Sequence, residues 1–183
     1  CVFCVAPTIC DAGIYSFIGG GFQNLAKSCY STVGGGLKNN TSGCFSTTSG
    51  GYTNLASGNY STISGGCKNT TSGRSSTIGG GDNSLSQAIA GFIGGGSCNN
   101  VCNTTSGCLA YGAVVAGGVG NNTTGGTWDL PTCVFCVAPT ICDAGISSFI
   151  GGGFHNLDKR VYSAVLGGFQ NCVTGNVTGS CGC

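Results

Sequence analysis

Few residues in this chain are of types that do chemistry. There is one histidine, His155, and five acids, Asp11, Asp82, Asp129, Asp143 and Asp158, with no close pair for acid–base work. Serine and threonine are plentiful, but no base recurs beside them to activate a hydroxyl. The acids are too sparse for a calcium-binding GGxGxDxUx roll. An enzyme is therefore not expected, nor is a cofactor.

Cysteine and asparagine do show patterns. The 15 cysteines are dense for a chain of 183 residues and point to an oxidising, extracellular setting or a virion or cell surface. Their odd number leaves at least one free or bonded to another chain. Cys1, Cys4 and Cys10 return as Cys133, Cys136 and Cys142. C-x2-C is half of a zinc site, but a second half or a nearby histidine is missing. A redox centre would need a βαβ context. Disulfides of unassigned pairing are the expectation for these six. Asn-x-Ser/Thr sequons stand at Asn40, Asn59, Asn103, Asn122 and Asn176, and also at Asn39, Asn69 and Asn121. The last three fall in a repeated rank, where turns are expected to occupy them. A chain rich in Asn, Ser and Thr also generates sequons by chance.

What positions these residues is a fifteen-residue period. Ser16, Ser31, Ser46, Ser61 and Ser76 each open a motif Ser-x-(Ile/Val)-x-Gly-Gly-x-x-Asn. Counting Ser16 as position one, the glycine pair at positions five and six recurs from Gly20-Gly21 to Gly167-Gly168. Position nine is Asn24, Asn39, Asn54, Asn69, Asn99, Asn121, Asn156 and Asn171, with Ser84 as the exception. Position three is apolar in almost every copy, from Ile18 to Val165. A short fixed period means one small unit stacked on copies of itself. Alternation sends positions one and three to one face of a strand and position two to the other. The glycines permit positive φ at a corner, and stacked asparagines can ladder between rungs. Helix is disfavoured, because a glycine in each turn costs roughly 1 kcal/mol. The fold class expected is all-β, a parallel β-solenoid of fifteen-residue rungs with cysteine-rich junction inserts. Cys29 and Cys44 share a position in adjacent rungs, ~4.8 Å apart in a parallel stack, and are expected to form a disulfide.

The SxxxGGxxNxxSG pattern resembles the Gly-rich head repeats of YadA-type trimeric adhesins and of phage-like tail fibres. The likeness is one of repeat style over about two thirds of the chain. It implies a left-handed parallel β-roll, often trimeric.

An outer period encloses the inner one. Residues 1–27 and 133–159 differ only at Tyr15/Ser147, Gln23/His155 and Ala26/Asp158, giving a repeat of 132 residues. The sequence opens inside a motif that recurs, so it reads as a mature product or as part of a longer protein. The expected organisation is a Cys-rich cap or junction at 1–15, then solenoid rungs at 16–126 with an insertion near 98–112. A second cap or junction follows at 127–147, with further rungs and a Cys-rich tail at 148–183. The insert is expected to plug or join a solenoid end.

Only 6% of residues are charged and the net charge is +1, too little to track phosphates, so nucleic acid is not an expected partner. No apolar run approaches the ~20 residues of a membrane helix. The expected partners are further copies of the chain and covalent glycans, which would keep a weakly charged β-fibre hydrated. The function expected is a structural subunit of an extracellular, disulfide-stabilised, N-glycosylated fibre that assembles into filaments. Two alternatives carry features of their own. Exposed aromatics such as Phe22, Tyr30, Tyr52 and Tyr60 suit an adhesive, receptor- or glycan-binding fibre. The rank Thr32, Thr47, Thr62 and Thr77 suits an ice-binding solenoid, although position four beside it is only Gly or Ser.

Overall fold

A computed structural model describes residues 13–102, 111–124, 126–129, 134–137, 140–141 and 144–174. The described residues carry strands and turns and no helix, so none is long and apolar enough to cross a membrane. The chain winds as a parallel β-solenoid. Positions two and three form a nine-stranded sheet that starts at Phe17–Ile18 and ends at Ala164–Val165. Positions ten and eleven form a six-stranded sheet from Leu25–Ala26 to Asn100–Val101. Position seven adds a third line of single parallel bridges, from Phe22 with Leu37 to Phe154 with Phe169. Equal positions pair with equal positions, as Thr32 does with Thr47 and Val33 with Thr48. In-register pairing of a fixed period follows because a one-residue slip would turn the buried face outward.

The core is narrow and partly polar. Val33, Ile63, Ile78, Ile93, Val115 and Ile150 at position three are fully buried, as are Ala26 and Ala56 at position eleven. Polar members of the same ranks find partners inside the coil. Thr41 Oγ1 donates to Thr48 Oγ1 at 2.8 Å, and Thr71 Oγ1 to Ser61 Oγ at 3.1 Å. Several serines of position one reach back three residues, Ser31 Oγ to the Ser28 carbonyl at 2.7 Å and Ser76 Oγ to that of Gly73 at 2.8 Å, whereas Ser148 Oγ is buried without a partner. This bond gives the serine rank its physical reason, since an unpaired buried hydroxyl would be costly.

Three corners turn each coil. At position six φ is +87° at Gly36, +90° at Gly51 and +86° at Gly66. A Cβ on Gly51 would lie 2.2 Å from the Gly66 carbonyl oxygen and 2.6 Å from Asn54 Nδ2. Only glycine meets both constraints. Its neighbour Gly50 is different, for nothing stands within 4 Å of a Cβ built there. The other two corners use residues with side chains in the left-handed region. Position eight holds Lys38 at φ 57° and Thr53 at 55°, and position fifteen holds Tyr30 at 57° and Phe45 at 56°. Their N–H groups turn back to the preceding coil, Lys38 to the Phe22 carbonyl at 2.9 Å and Tyr30 to that of Ile14 at 2.9 Å. The sequence shows the first corner as a glycine pair. It does not mark the other two, because their residues are ordinary ones.

Ser16 to Ala90 is an uninterrupted block of rungs, as the spacing predicts. The first sheet keeps its register across both insertions. Phe92 pairs with Val114 across the first, and Val114 with Phe149 across the second. The insert at 127–147 is expected to plug or join a solenoid end; the first sheet continues across it, so no end of that sheet lies there. The excursion begins with two antiparallel pairs, Thr123–Thr124 with Thr140–Ile141 and Thr127–Asp129 with Val134–Val137. By Ala144 the chain is back against the coil, where its N–H donates to the Cys102 carbonyl at 2.7 Å.

Candidate functional site

The asparagines of position nine form a side-chain ladder. Asn39 Nδ2 donates to the Gly35 and Gly51 carbonyls at 3.0 Å each, and Asn39 Oδ1 accepts the Asn54 N–H at 3.0 Å. The same three bonds recur at Asn54, where the Gly50 and Gly66 carbonyls and the Asn69 N–H are the partners. Each carboxamide thus closes its own glycine corner and ties it to the next coil. Ser84 interrupts the ladder. It accepts the Asn99 N–H at a longer 3.3 Å and has no amide to offer the Gly80 and Gly96 carbonyls.

This ladder decides which sequons a folded coil can present. Asn39, Asn69 and Asn121 are fully buried with both ends of the carboxamide bonded. Asn122 is a correction to the sequence reading, which placed it among the available sequons. It is buried, donating to the Asn100 carbonyl at 2.9 Å and accepting the Asp158 N–H at 3.0 Å. The cause is local: φ is 56° at Asn122, so the chain leaves the regular path there and turns the side chain inward. Asn40 is half-buried, with Oδ1 buried and without a partner. Asn59 is exposed; its Oδ1 accepts the Cys44 N–H at 3.0 Å, and its Nδ2 makes no hydrogen bond among the described residues. Asn103 and Asn176 lie outside the described residues.

Cys29 and Cys44 are half-buried free thiols, not the expected disulfide. Parallel in-register rungs hold equivalent Cα–Cβ bonds side by side at ~4.8 Å, whereas a disulfide needs converging bonds with Cβ atoms ~3.8 Å apart. Cys67, Cys98 and Cys172 are also free thiols. Burial raises the Cys67 thiol pKa, and the Asp82 hydrogen bond and charge raise it further, which keeps it protonated and poorly nucleophilic. Cys136 falls in the strand Val134–Val137, while Cys1, Cys4, Cys10, Cys133 and Cys142 lie outside the described residues. Among the described residues no group of three or more His, Cys, Asp or Glu could hold a metal ion.

Two arrangements escape the sequence reading. The first is an aromatic stack at position fifteen. Tyr15, Tyr30, Phe45 and Tyr60 stand ring on ring, with centroids 5.1, 4.8 and 5.3 Å apart. The Arg74 guanidinium lies over the Tyr60 ring, 5.7 Å from its centroid, and closes one end. The signal is the aromatic residue immediately before the motif serines Ser16, Ser31, Ser46 and Ser61; Ser75 precedes Ser76. The second is Asp158, fully buried at position eleven, where the twin copy has Ala26. Its Oδ1 accepts from Ser163 Oγ and from the Arg160 N–H, and its Oδ2 is buried without a partner. Burial raises the carboxyl pKa, and the Ser163 and Arg160 contacts oppose that rise. His155 packs against Phe154, ring centroids 4.5 Å apart, and burial lowers its pKa.

Thr32, Thr47, Thr62 and Thr77 form the expected in-register row on the outer face of the first sheet, ended by exposed Phe17 and Phe92. The geometry as a whole offers repeated surfaces and side-chain ladders. No protein-family model matches this chain, and no curated protein matches it.

Proposed function

We propose that the protein is a structural subunit of an extracellular fibre, built to be long and stiff, and that copies of it assemble into filaments. The observation that supports this is the first sheet, whose nine strands keep register past two insertions. Inserts that leave the first sheet undisturbed let its hydrogen bonding run on through added super-repeats, while the second sheet stops at Asn100–Val101 and resumes where Leu157–Asp158 pairs with Cys172–Val173. Backbone groups that pair along the axis make such a rod resistant to bending, and stacked side-chain ladders add to this. The small charge of the chain would be offset by carbohydrate on the outside, and the Cys-rich inserts are the natural places for cross-links between neighbouring rods.

Negative-stain microscopy and fibre diffraction of the purified chain test the proposal. The expected result is unbranched filaments with an axial spacing of ~4.8 Å per coil. A monodisperse monomer that forms no filaments up to high concentration would count against it. The threonine row gives a second reading, ice binding, its own measurable property. Thermal hysteresis in a filament-free solution would favour that reading over the fibre.

A further inference from the structure

We propose that Asn59 carries the N-linked glycan of the coil and that the aromatic stack beside it is the seat on which the first sugars rest. The inference builds on the glycosylated-fibre reading above and fixes the place of the sugar. Whenever transfer takes place, the finished coil must hold the sugar outside. The carboxamides of Asn39, Asn69, Asn121 and Asn122 are locked inside, so a glycan on any of them would prevent the coil from closing. Asn59 meets the opposite conditions. It is exposed, its Oδ1 is anchored on the Cys44 N–H, and Nδ2, the atom that takes the sugar, makes no hydrogen bond among the described residues. The new bond joins Nδ2 to the anomeric carbon of a lipid-linked oligosaccharyl pyrophosphate. The bond from that carbon to phosphate breaks, Nδ2 gives up one proton, and the lipid pyrophosphate leaves.

The seat follows from what surrounds this anchor. Asn59 precedes Tyr60, and its carboxamide is tied to Cys44, which precedes Phe45; these two rings are neighbours in the stack. Tyr30, Phe45 and Tyr60 are 49%, 49% and 51% exposed, a contiguous apolar strip on a chain with little else to cover it. The ring faces are used up on one another, so the strip offers apolar ring edges, on which a sugar can rest by van der Waals contact. Arg74 covers the end of the stack beyond Tyr60, so the exposed edges of Tyr60, Phe45 and Tyr30 are what the strip leaves to a sugar.

The full chain, secreted from a eukaryotic cell, tests this by glycopeptide mass spectrometry and by tyrosine nitration before and after enzymatic deglycosylation. The expected result is a glycan on the Asn59 peptide and nitration of Tyr30 and Tyr60 that becomes severalfold faster once the sugar is removed. Tyr52 and Tyr111, in other ranks, should not change. Asn59→Gln should reproduce the deglycosylated pattern with the coil intact by circular dichroism. A glycan at Asn59 with unchanged Tyr30 and Tyr60 reactivity overturns the seat. A folded chain modified at Asn39 or Asn69 and bare at Asn59 overturns the site. A chain with no glycan at all overturns both, yet filaments seen by microscopy would still uphold the fibre.

Discussion

At the scale of single residues, the two glycines of each pair carry different burdens. Gly51→Ala should cost about 2 kcal/mol or more, since it combines a left-handed backbone with a clash against the next coil's carbonyl. Gly50→Ala, with open space around its Cβ, should cost less than ~1 kcal/mol. Urea denaturation of the two variants side by side gives the comparison. The pair is one signal in the sequence and two physical situations in the fold. Ser84→Asn should do the reverse of most substitutions. It restores a donor to the Gly80 and Gly96 carbonyls and should add about 1 kcal/mol, seen as a higher denaturation midpoint. Asp158 should make the coil sensitive to pH. Below the ordinary carboxyl pKa, Asp158 is neutral both folded and unfolded, and stability is greatest. As pH rises through the raised folded value, the unfolded chain ionises freely while the buried carboxyl resists, so stability falls. Asp158→Ala, which installs the residue of the twin copy, should remove that slope. It should also stabilise the neutral-pH protein by roughly 1–3 kcal/mol, measured by denaturation at several pH values.

The elements were legible where one residue type repeats and obscure where a position tolerates many types. The strand at positions two and three is announced by alternation from Thr32-Val33 onward, and the asparagine ladder by its rank. The corners at positions eight and fifteen are not announced, because Lys38, Thr53, Tyr30 and Phe45 share no preference for the left-handed region. Each costs about 1–2 kcal/mol as a non-glycine residue there. The backward hydrogen bonds of their N–H groups, with ring stacking at position fifteen, offset that cost. The thiols of Cys29 and Cys44 show the limit of spacing as an argument. Proximity in the stack is readable, but the side-by-side direction of the two side chains follows from the in-register turns that carry them. Asn122 hid for a related reason: its burial follows from a departure of the backbone that no neighbouring residue encodes.

At the scale of the whole molecule, the solenoid should behave as a sum of coils, each touching only its neighbours. Deleting residues 46–60, one full period, brings Thr32 against Thr62 with every rank preserved. It should leave a folded chain with a modest drop in melting temperature. Deleting 46–53 breaks the period and should abolish cooperative melting by circular dichroism. The inner period thus made the architecture readable from the sequence. The outer period did not reveal that the sheet passes straight by the insert, since repetition does not say which way an insertion leaves a stack.

The missing carboxamide at Ser84 has a mechanical meaning. A rod made of identical joints fails anywhere, while a rod with one joint of different strength fails there first. Pulled along its axis, this solenoid should part first at the coil of Ser84, the last coil of the unbroken block that begins at Ser16. Load that exceeds the joint would be released at one defined place, and the asparagine ladders on both sides would stay intact to guide its return.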